Sequence, residues 1–485
     1  MRKHCIGSMM ALAWTLSLPM TTYAATSEIP PAVVAPNNVS GQVEKSQDSA
    51  ALPEAARQKL DAQLETMIGD TGDKVPGIGV ILYKNGKEVY SRFLGSRELA
   101  QDAGENLPIT RDTRFRAASV SKQYTIFTLL QLAEQGKIDL DADVSTYLGF
   151  PLRNPNYPEE KITARMLASH TSSLRDGKVY SIPPAMHVQE FFVPTGHYYE
   201  NGAHFAPKGE APGKYFSYAN LNYGLLGTII EKVTGERFDT YQKHHILRQL
   251  YIEADYLPGN LSRDAFQHLG TIYQKKNPQG VWQEQGPWYG QMDEFKGRQP
   301  DPNTVALQNP YAPEVNGTYD LKDYIPGTNA TMFSPQGGLR ISFEELGHGL
   351  QLLMNDGEYN GKQILSPASV QMMLTPVWKY DGHNGDTYGG TILAYGLGVY
   401  PIDGKSSARV CKDQDINLIG HTGEAFGLLS GAFFRPGTKD GFVYMMNGEA
   451  IAEDDDPRSA GEFSGNYIWE EHLMNALCDA LTAKS

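Results

Sequence analysis

Cysteine is scarce in this sequence, with three in 485 residues, and no internal apolar run is long enough to cross a bilayer. So few cysteines exclude a small disulfide-stapled scaffold. Positive charge is also in the minority, with 42 Lys and Arg against 56 Asp and Glu and a net charge of −14. A surface that tracks phosphates needs the opposite balance, so nucleic acid is excluded as an expected partner, and attraction to anionic lipid is disfavoured. The excess acid reads as a solvated surface. Internal repeats and low-complexity tracts are absent as well. What is present is ordinary for a folded globular protein, with 40% hydrophobic and 20% charged residues. A chain of this length is expected to build two lobes.

Residues 1–24 differ from the rest. Arg2, Lys3 and His4 precede the apolar stretch Met9 to Leu18, and Thr22-Tyr23-Ala24 stands before Ala25. That order is the pattern of a secretory signal peptide, which predicts a secreted or periplasmic mature chain with no membrane insertion. Its removal would leave 40 basic and 56 acidic residues, a charge of −16. Cys5 would leave with it. Cys411 and Cys478 would remain, and they are compatible with a disulfide or with two separate buried thiols.

Residues 25–52 are rich in Pro, Ala, Ser and Asn without an apolar period and read as a flexible lead-in. A helix is predicted from Pro53, followed by a hairpin over Gly77 to Val89 that turns at Asn85-Gly86. The spacing of Ile126, Phe127, Leu130 and Ala133 predicts a helix over 118–136. Helices separated by turn-rich loops fill the stretch to about residue 335. Within it, 275–333 reads as a long aromatic-rich loop, suited either to walling a cleft or to packing. Two helices follow, over Phe343 to Met354 and from the Ser366-Pro367 cap. Strands are expected at Leu428 to Phe434 and Phe442 to Met446, then a helix over Asn466 to Leu481. Strand-forming segments thus lie at both ends. The expected architecture is an α/β lobe from 53–117 and 336–482, with an α lobe inserted over 118–335 and a site in the cleft between them.

Three short motifs carry chemistry. Ser119-Val120-Ser121-Lys122 is the only Ser-x-x-Lys in the chain. Helical spacing sets Ser119 and Lys122 one turn apart on one face, where a desolvated lysine can take the serine proton. By itself this pattern is equally a helix cap and a surface lysine. Tyr218-Ala219-Asn220 supplies a phenol that can relay protons and an amide that can hold a carbonyl. The same pattern at Tyr83-Lys84-Asn85 is only a hairpin. In His421-Thr422-Gly423-Glu424, a glycine on an edge strand admits a substrate backbone, and the amide after it can stabilise an oxyanion together with that of Ser119.

Taken together, in this order and spacing, these motifs resemble the serine β-lactamase and penicillin-binding-protein superfamily. The branch is that of the class C β-lactamase-like proteins with their DD-peptidase and esterase relatives. The resemblance runs from about Val75 to Asn447. It includes Thr113-Arg-Phe-Arg-Ala-Ala-Ser, Leu167-Ala-Ser-His-Thr-Ser-Ser-Leu, Gly213 to Gly235 and Gln336-Gly-Gly-Leu-Arg-Ile-Ser. It implies a two-lobed hydrolase, spanning 53–482, that works through an acyl-enzyme on Ser119 without metal or cofactor. Lys122 and Tyr218 would shuttle the proton; which of them is the base is left open. Asn220, His421, Thr422, Gly423 and Glu424 would hold the substrate or its oxyanion. His170 would be structural. The substrate would be a small molecule or peptide, and the oligomeric state is open.

The chain departs from class C β-lactamases at two positions. Those enzymes resemble Lys-Thr-Gly at the third motif, and a histidine near neutrality is only partly charged. His-Thr-Gly resembles DD-peptidases, D-amino-acid peptidases and esterases instead. The expectation is therefore a peptidase or amidase on D-amino-acid-containing peptides, with a carboxylesterase or weak β-lactamase as the alternative and a silent penicillin-recognising protein as a third. Glu424 stands where small residues are usual. It would repel anions, attract amines, or face solvent. His197, His204, His244 and His245 lack metal spacing and are expected at the surface. Glu453 to Asp456 reads as a solvated loop without calcium-site glycines.

Overall fold

The computed structural model describes residues 51–484, apart from 101–103, 310 and 453–455. The expected leader, nearly all of the lead-in and most of the acidic run at 453–456 lie outside the described residues.

A seven-stranded antiparallel sheet forms the frame. Its strands are β1 (Gly77–Lys84), β2 (Lys87–Glu98), β3 (Leu107–Pro108), β4 (Tyr400–Ile402), β5 (Leu418–Ala425), β6 (Leu428–Phe434) and β7 (Gly441–Met446), in the spatial order β4-β5-β6-β7-β1-β2-β3. Both chain ends therefore meet in one sheet, with Ile78 opposite Met446 and Tyr83 opposite Gly441. The sheet is buried on both faces, and side-chain alternation divides them. Ile81, Tyr83, Val443 and Met445 face one core, which holds helix α4 (Phe343–Met354) and the helices of the intervening segment. Val80, Leu82, Phe442, Tyr444 and Met446 face the other. There they meet Leu60 and Leu64 of α1 (Glu54–Thr66), and Trp469, Leu473 and Leu477 of α5 (Ile468–Thr482).

The predicted helix over 118–136 is two elements. A 3-10 turn over Ala118–Val120 precedes α2 (Ser121–Glu134). Ala118 has φ +46°, a conformation that costs a side-chain-bearing residue energy and persists only where its surroundings hold it. Helix α3 (Leu221–Thr234) packs beside α2 and ends on Gly235 at φ +73°. Helix α4 starts on a reciprocal cap, in which Ser342 accepts from Glu345 N–H and the Glu345 carboxylate accepts from Ser342 N–H. A disulfide joins Cys411, in the loop before β5, to Cys478 on α5, with 5.7 Å between Cα atoms.

The aromatic segment is not a plain loop. Strands Tyr289–Met292, Thr304–Leu307 and Gly317–Asp320 form within it. Its rings pack: Trp288 lies under Lys275, Trp282 under Lys276, and Tyr324 against Phe333. His204 corrects the expectation of surface histidines. It is fully buried, edge-on to Phe191, with Nε2 2.9 Å from the Tyr198 carbonyl. Among the described residues, no helix is long and apolar enough to cross a membrane.

Candidate active site

The turn at Ala118 delivers Ser119 half-exposed, while Lys122, one turn on, is fully buried. The Lys122 Nζ lies 3.0 Å from Ser119 Oγ, 3.0 Å from Asn220 Oδ1 and 3.1 Å from the Gln336 carbonyl. Burial pushes the lysine well below its ordinary pKa, and only the Asp176 charge acts in the opposite direction. A neutral amine has two N–H bonds and one lone pair. Asn220 and Gln336 offer pure acceptors for the two N–H bonds, so the lone pair is left for the Ser119 hydroxyl proton. Such an arrangement can act as a general base beside a nucleophile.

Tyr218 belongs to the same cluster. Burial raises its phenol well above the usual value, while its hydrogen bond with Ser119 pulls the other way. It is therefore protonated at neutral pH, and its ring lies 4.6 Å from Lys122 Nζ. Of the two, Lys122 is the group whose basic form burial favours. Beneath Tyr218 lies His170, stacked at 4.2 Å. His170 Nδ1 accepts from Ala219 N–H at 3.1 Å, and burial depresses its pKa, so a neutral imidazole supports the phenol.

The third motif lies on β5. The edge strand β4 pairs with it only from Leu418 to Gly420, so Thr422 to Ala425 have β6 on one side and an open edge on the other. At Gly423 a side chain has no room: a Cβ there would stand 2.6 Å from the Ala117 carbonyl and 3.0 Å from Ser119 N. Gly423 thereby brings the edge of β5 against the backbone of the nucleophile, with the Glu424 amide next along the strand. Thr422 Oγ1 is 3.0 Å from the Tyr400 hydroxyl. Glu424 is half-buried.

His421 differs from the partly charged residue expected. It is buried, and its Nε2 accepts from the Tyr395 hydroxyl at 2.8 Å, while Nδ1 donates to the Thr422 carbonyl. Burial, reinforced by the Lys122 charge, lowers its pKa to about 3. It is a neutral strut inside the sheet and offers no cation to a substrate.

Sequence reasoning missed Asp176. Its Oδ2 accepts from Asn220 Nδ2 at 3.2 Å, and Oδ1 accepts from Leu221 N at 2.8 Å. By taking the amide N–H, it turns the Asn220 oxygen toward Lys122. Burial raises its own pKa. Tyr388, Tyr395 and Tyr400 were missed too; Tyr388 donates to the Tyr218 carbonyl at 3.0 Å. Among the described residues, no group of three or more His, Cys, Asp or Glu is placed to hold a metal.

A half-exposed serine with a buried lysine one turn along, beside an open β-strand edge, points to the class of active-site-serine hydrolases. The Beta-lactamase family model matches residues 57–465, and the chain belongs to that family. Protein flp of Staphylococcus aureus (strain MRSA252) is 28% identical over 222 residues, 44% of this chain and 42% of that protein. The match thus spans less than half of that relative's length. The human mitochondrial serine beta-lactamase-like protein LACTB is 39% identical over 101 residues, covering 21% of this chain and 18% of that one. Among solved structures, a class C beta-lactamase superposes with a TM-score of 0.56 at 16% identity, covering 89% of this chain and 98% of its own. The D-amino acid amidase from Ochrobactrum anthropi SV3 gives 0.54 at 18%, covering 88% and 98%. The octameric penicillin-binding protein homologue from Pyrococcus abyssi gives 0.53 at 22%, covering 82% and 74%. At these identities the likeness is one of fold.

Proposed function

We propose that the protein is an exported hydrolase that forms an acyl-enzyme on Ser119 and acts as a peptidase or amidase on D-amino-acid-containing peptides. The observation that carries the reading is the buried, depressed Lys122, with acceptors for both N–H bonds and Ser119 at its lone pair. Lys122 takes the proton as Ser119 Oγ attacks the substrate carbonyl carbon. The Ser119 and Glu424 amides hold the oxyanion. The proton passes through Lys122 and Tyr218 to the leaving nitrogen, the C–N bond breaks, and water then releases the acyl group. The chemistry stays with side chains and backbone.

The choice of substrate class is supported by His421. A β-lactam presents a carboxylate, as a terminal D-alanine does, and the position where class C enzymes resemble lysine holds a neutral imidazole already bonded at both nitrogens. That disfavours both and favours a D-amino-acid amide. Export is supported by residues 1–24 and by the Cys411–Cys478 disulfide, which suits an oxidising compartment. A D-Ala-D-Ala peptide, a D-amino-acid amide, a short aryl ester and nitrocefin, assayed side by side, test the reading. The D-amino-acid amide is expected to give the highest kcat/KM; nitrocefin as the best substrate would overturn it.

A further inference from the structure

We propose that Arg116 forms an acyl-side subsite of the Ser119 centre, taking a carboxylate carried on the substrate's acyl group. The assignment rests on the acyl-enzyme reading above. Arg116 ends the strand Arg114–Arg116, three residues before the nucleophile, and pairs across to Arg340. The two arginines beside it are committed. Arg114 Nη2 donates to Glu345 at 2.7 Å, and Arg340 holds Asp293 with Nη2 at 2.8 Å and Nε at 3.0 Å. Arg116 has a different set of partners. Its Nε donates to the Gly337 carbonyl at 2.9 Å, and its guanidinium lies over the Phe426 ring at 5.1 Å. Among the described residues, no carboxylate lies within ion-pair distance of it. The Nη1 and Nη2 fork is thus open, and that fork is the group that matches a carboxylate with two parallel bonds.

Its partners place it at the catalytic centre. Gly337 follows Gln336, whose carbonyl faces Lys122 Nζ. Phe426 lies two residues beyond Glu424, at the tip of the β5–β6 hairpin, with φ +60°. The charges of Asp176 and Arg116 both act on Tyr180, so both lie within electrostatic reach of that phenol. Arg116, Ser119, Asp176, Tyr180 and Phe426 are each only half-buried, so each keeps some surface open to a ligand. Tyr218, the group assigned to hand the proton to the leaving nitrogen, is hydrogen-bonded to Ser119 and neighbours His421. No hydrogen bond or ring contact joins Arg116 to either, and on that ground it is given the part of the substrate retained on the serine. Burial and the adjacent Arg340 charge lower its pKa to about 10, which still leaves it charged at neutral pH. With His421 neutral, an anionic substrate finds its cation here.

The test compares p-nitrophenyl hydrogen glutarate with p-nitrophenyl valerate, in which a methyl group replaces the carboxylate. Full-length enzyme, Arg116→Gln and Arg116→Lys are compared, each normalised by fluorophosphonate titration of Ser119 so that misfolded protein is not counted. The wild type is expected to favour the glutarate ester. The glutarate-to-valerate ratio of kcat/KM is expected to fall roughly 10- to 100-fold in Arg116→Gln, mainly through KM, the range of a lost charge-assisted pair. Arg116→Lys should fall between them. An unchanged ratio, equal losses on both esters, or a wild type that favours valerate would each overturn the subsite while leaving the acyl-enzyme intact. A wild type that takes no label on Ser119 would remove both.

Discussion

Gly423 is where the geometry makes its sharpest demand, and Gly423→Ala tests it. The added methyl would stand 2.6 Å from the Ala117 carbonyl and 3.0 Å from Ser119 N. It would also strike the hydroxyl of Ser430, which is fully buried and donates to that same Ala117 carbonyl at 2.8 Å. None of these atoms is the free end of a flexible side chain, so β5 must move away from the turn that carries Ser119. Overpacking of this kind costs about 1–3 kcal/mol of stability. The catalytic loss is expected to be larger. The Glu424 amide follows Gly423 on the strand, so a shift that opens the contact also moves one of the two proposed oxyanion donors. Loss of one donor costs about 10²- to 10³-fold in rate. Single-turnover acylation by a chromogenic ester, read beside thermal unfolding, separates the two effects. The expected result is a folded protein with Tm lowered by a few degrees and acylation slowed at least 100-fold. Acylation within threefold of wild type would refute the placement of the oxyanion cradle.

Two further predictions concern the support of the site and the frame. Asp176 favours the charged form of Lys122 and orients Asn220. Acylation needs the neutral amine, so its rate rises with pH through the Lys122 pKa. Asp176→Asn removes the charge, lowers that pKa further and shifts the acid limb of the kcat/KM profile to lower pH. It also lowers kcat, because the new amide must set its N–H groups against either Asn220 Nδ2 or Leu221 N, both of which donate to Asp176. An unmoved limb would show that Asp176 does not act on the lysine. In the frame, the disulfide closes a loop of 67 residues. Replacing both cysteines by alanine should lower stability by about 4 kcal/mol on chain-entropy grounds, read as a shift in the urea midpoint; a loss below about 1 kcal/mol would argue against that role.

Local signals made much of the fold legible. Ser342 with Glu345 and Ser366 with Pro367 mark helix starts that the structure repeats, because capping is settled within four residues. The sheet strands at Leu428 and Phe442 were likewise readable from composition. The position of Ser119 in a 3-10 turn before α2 was not, because the φ of Ala118 is imposed by contacts from β5 and the Gly337 backbone. Asp176 was illegible for a different reason. It lies in an Arg-Asp-Gly loop 44 residues from Asn220, and nothing local separates it from a turn aspartate. The charge of His421 also depends on tertiary burial. Tyr388, Tyr395 and Tyr400 carry no local signal that marks them as surroundings of the site. Charge state and second contacts belong to packing, which spacing does not encode.

The central claim is the acyl-enzyme on Ser119 with Lys122 as its base, and intact-mass analysis after incubation with a fluorophosphonate measures it directly. The account predicts one stoichiometric adduct mapped to Ser119 in the wild type, none in Ser119→Ala, and formation slowed at least 100-fold in Lys122→Met, as expected for loss of a general base. An adduct that persists in Ser119→Ala, or maps to another residue, would contradict it.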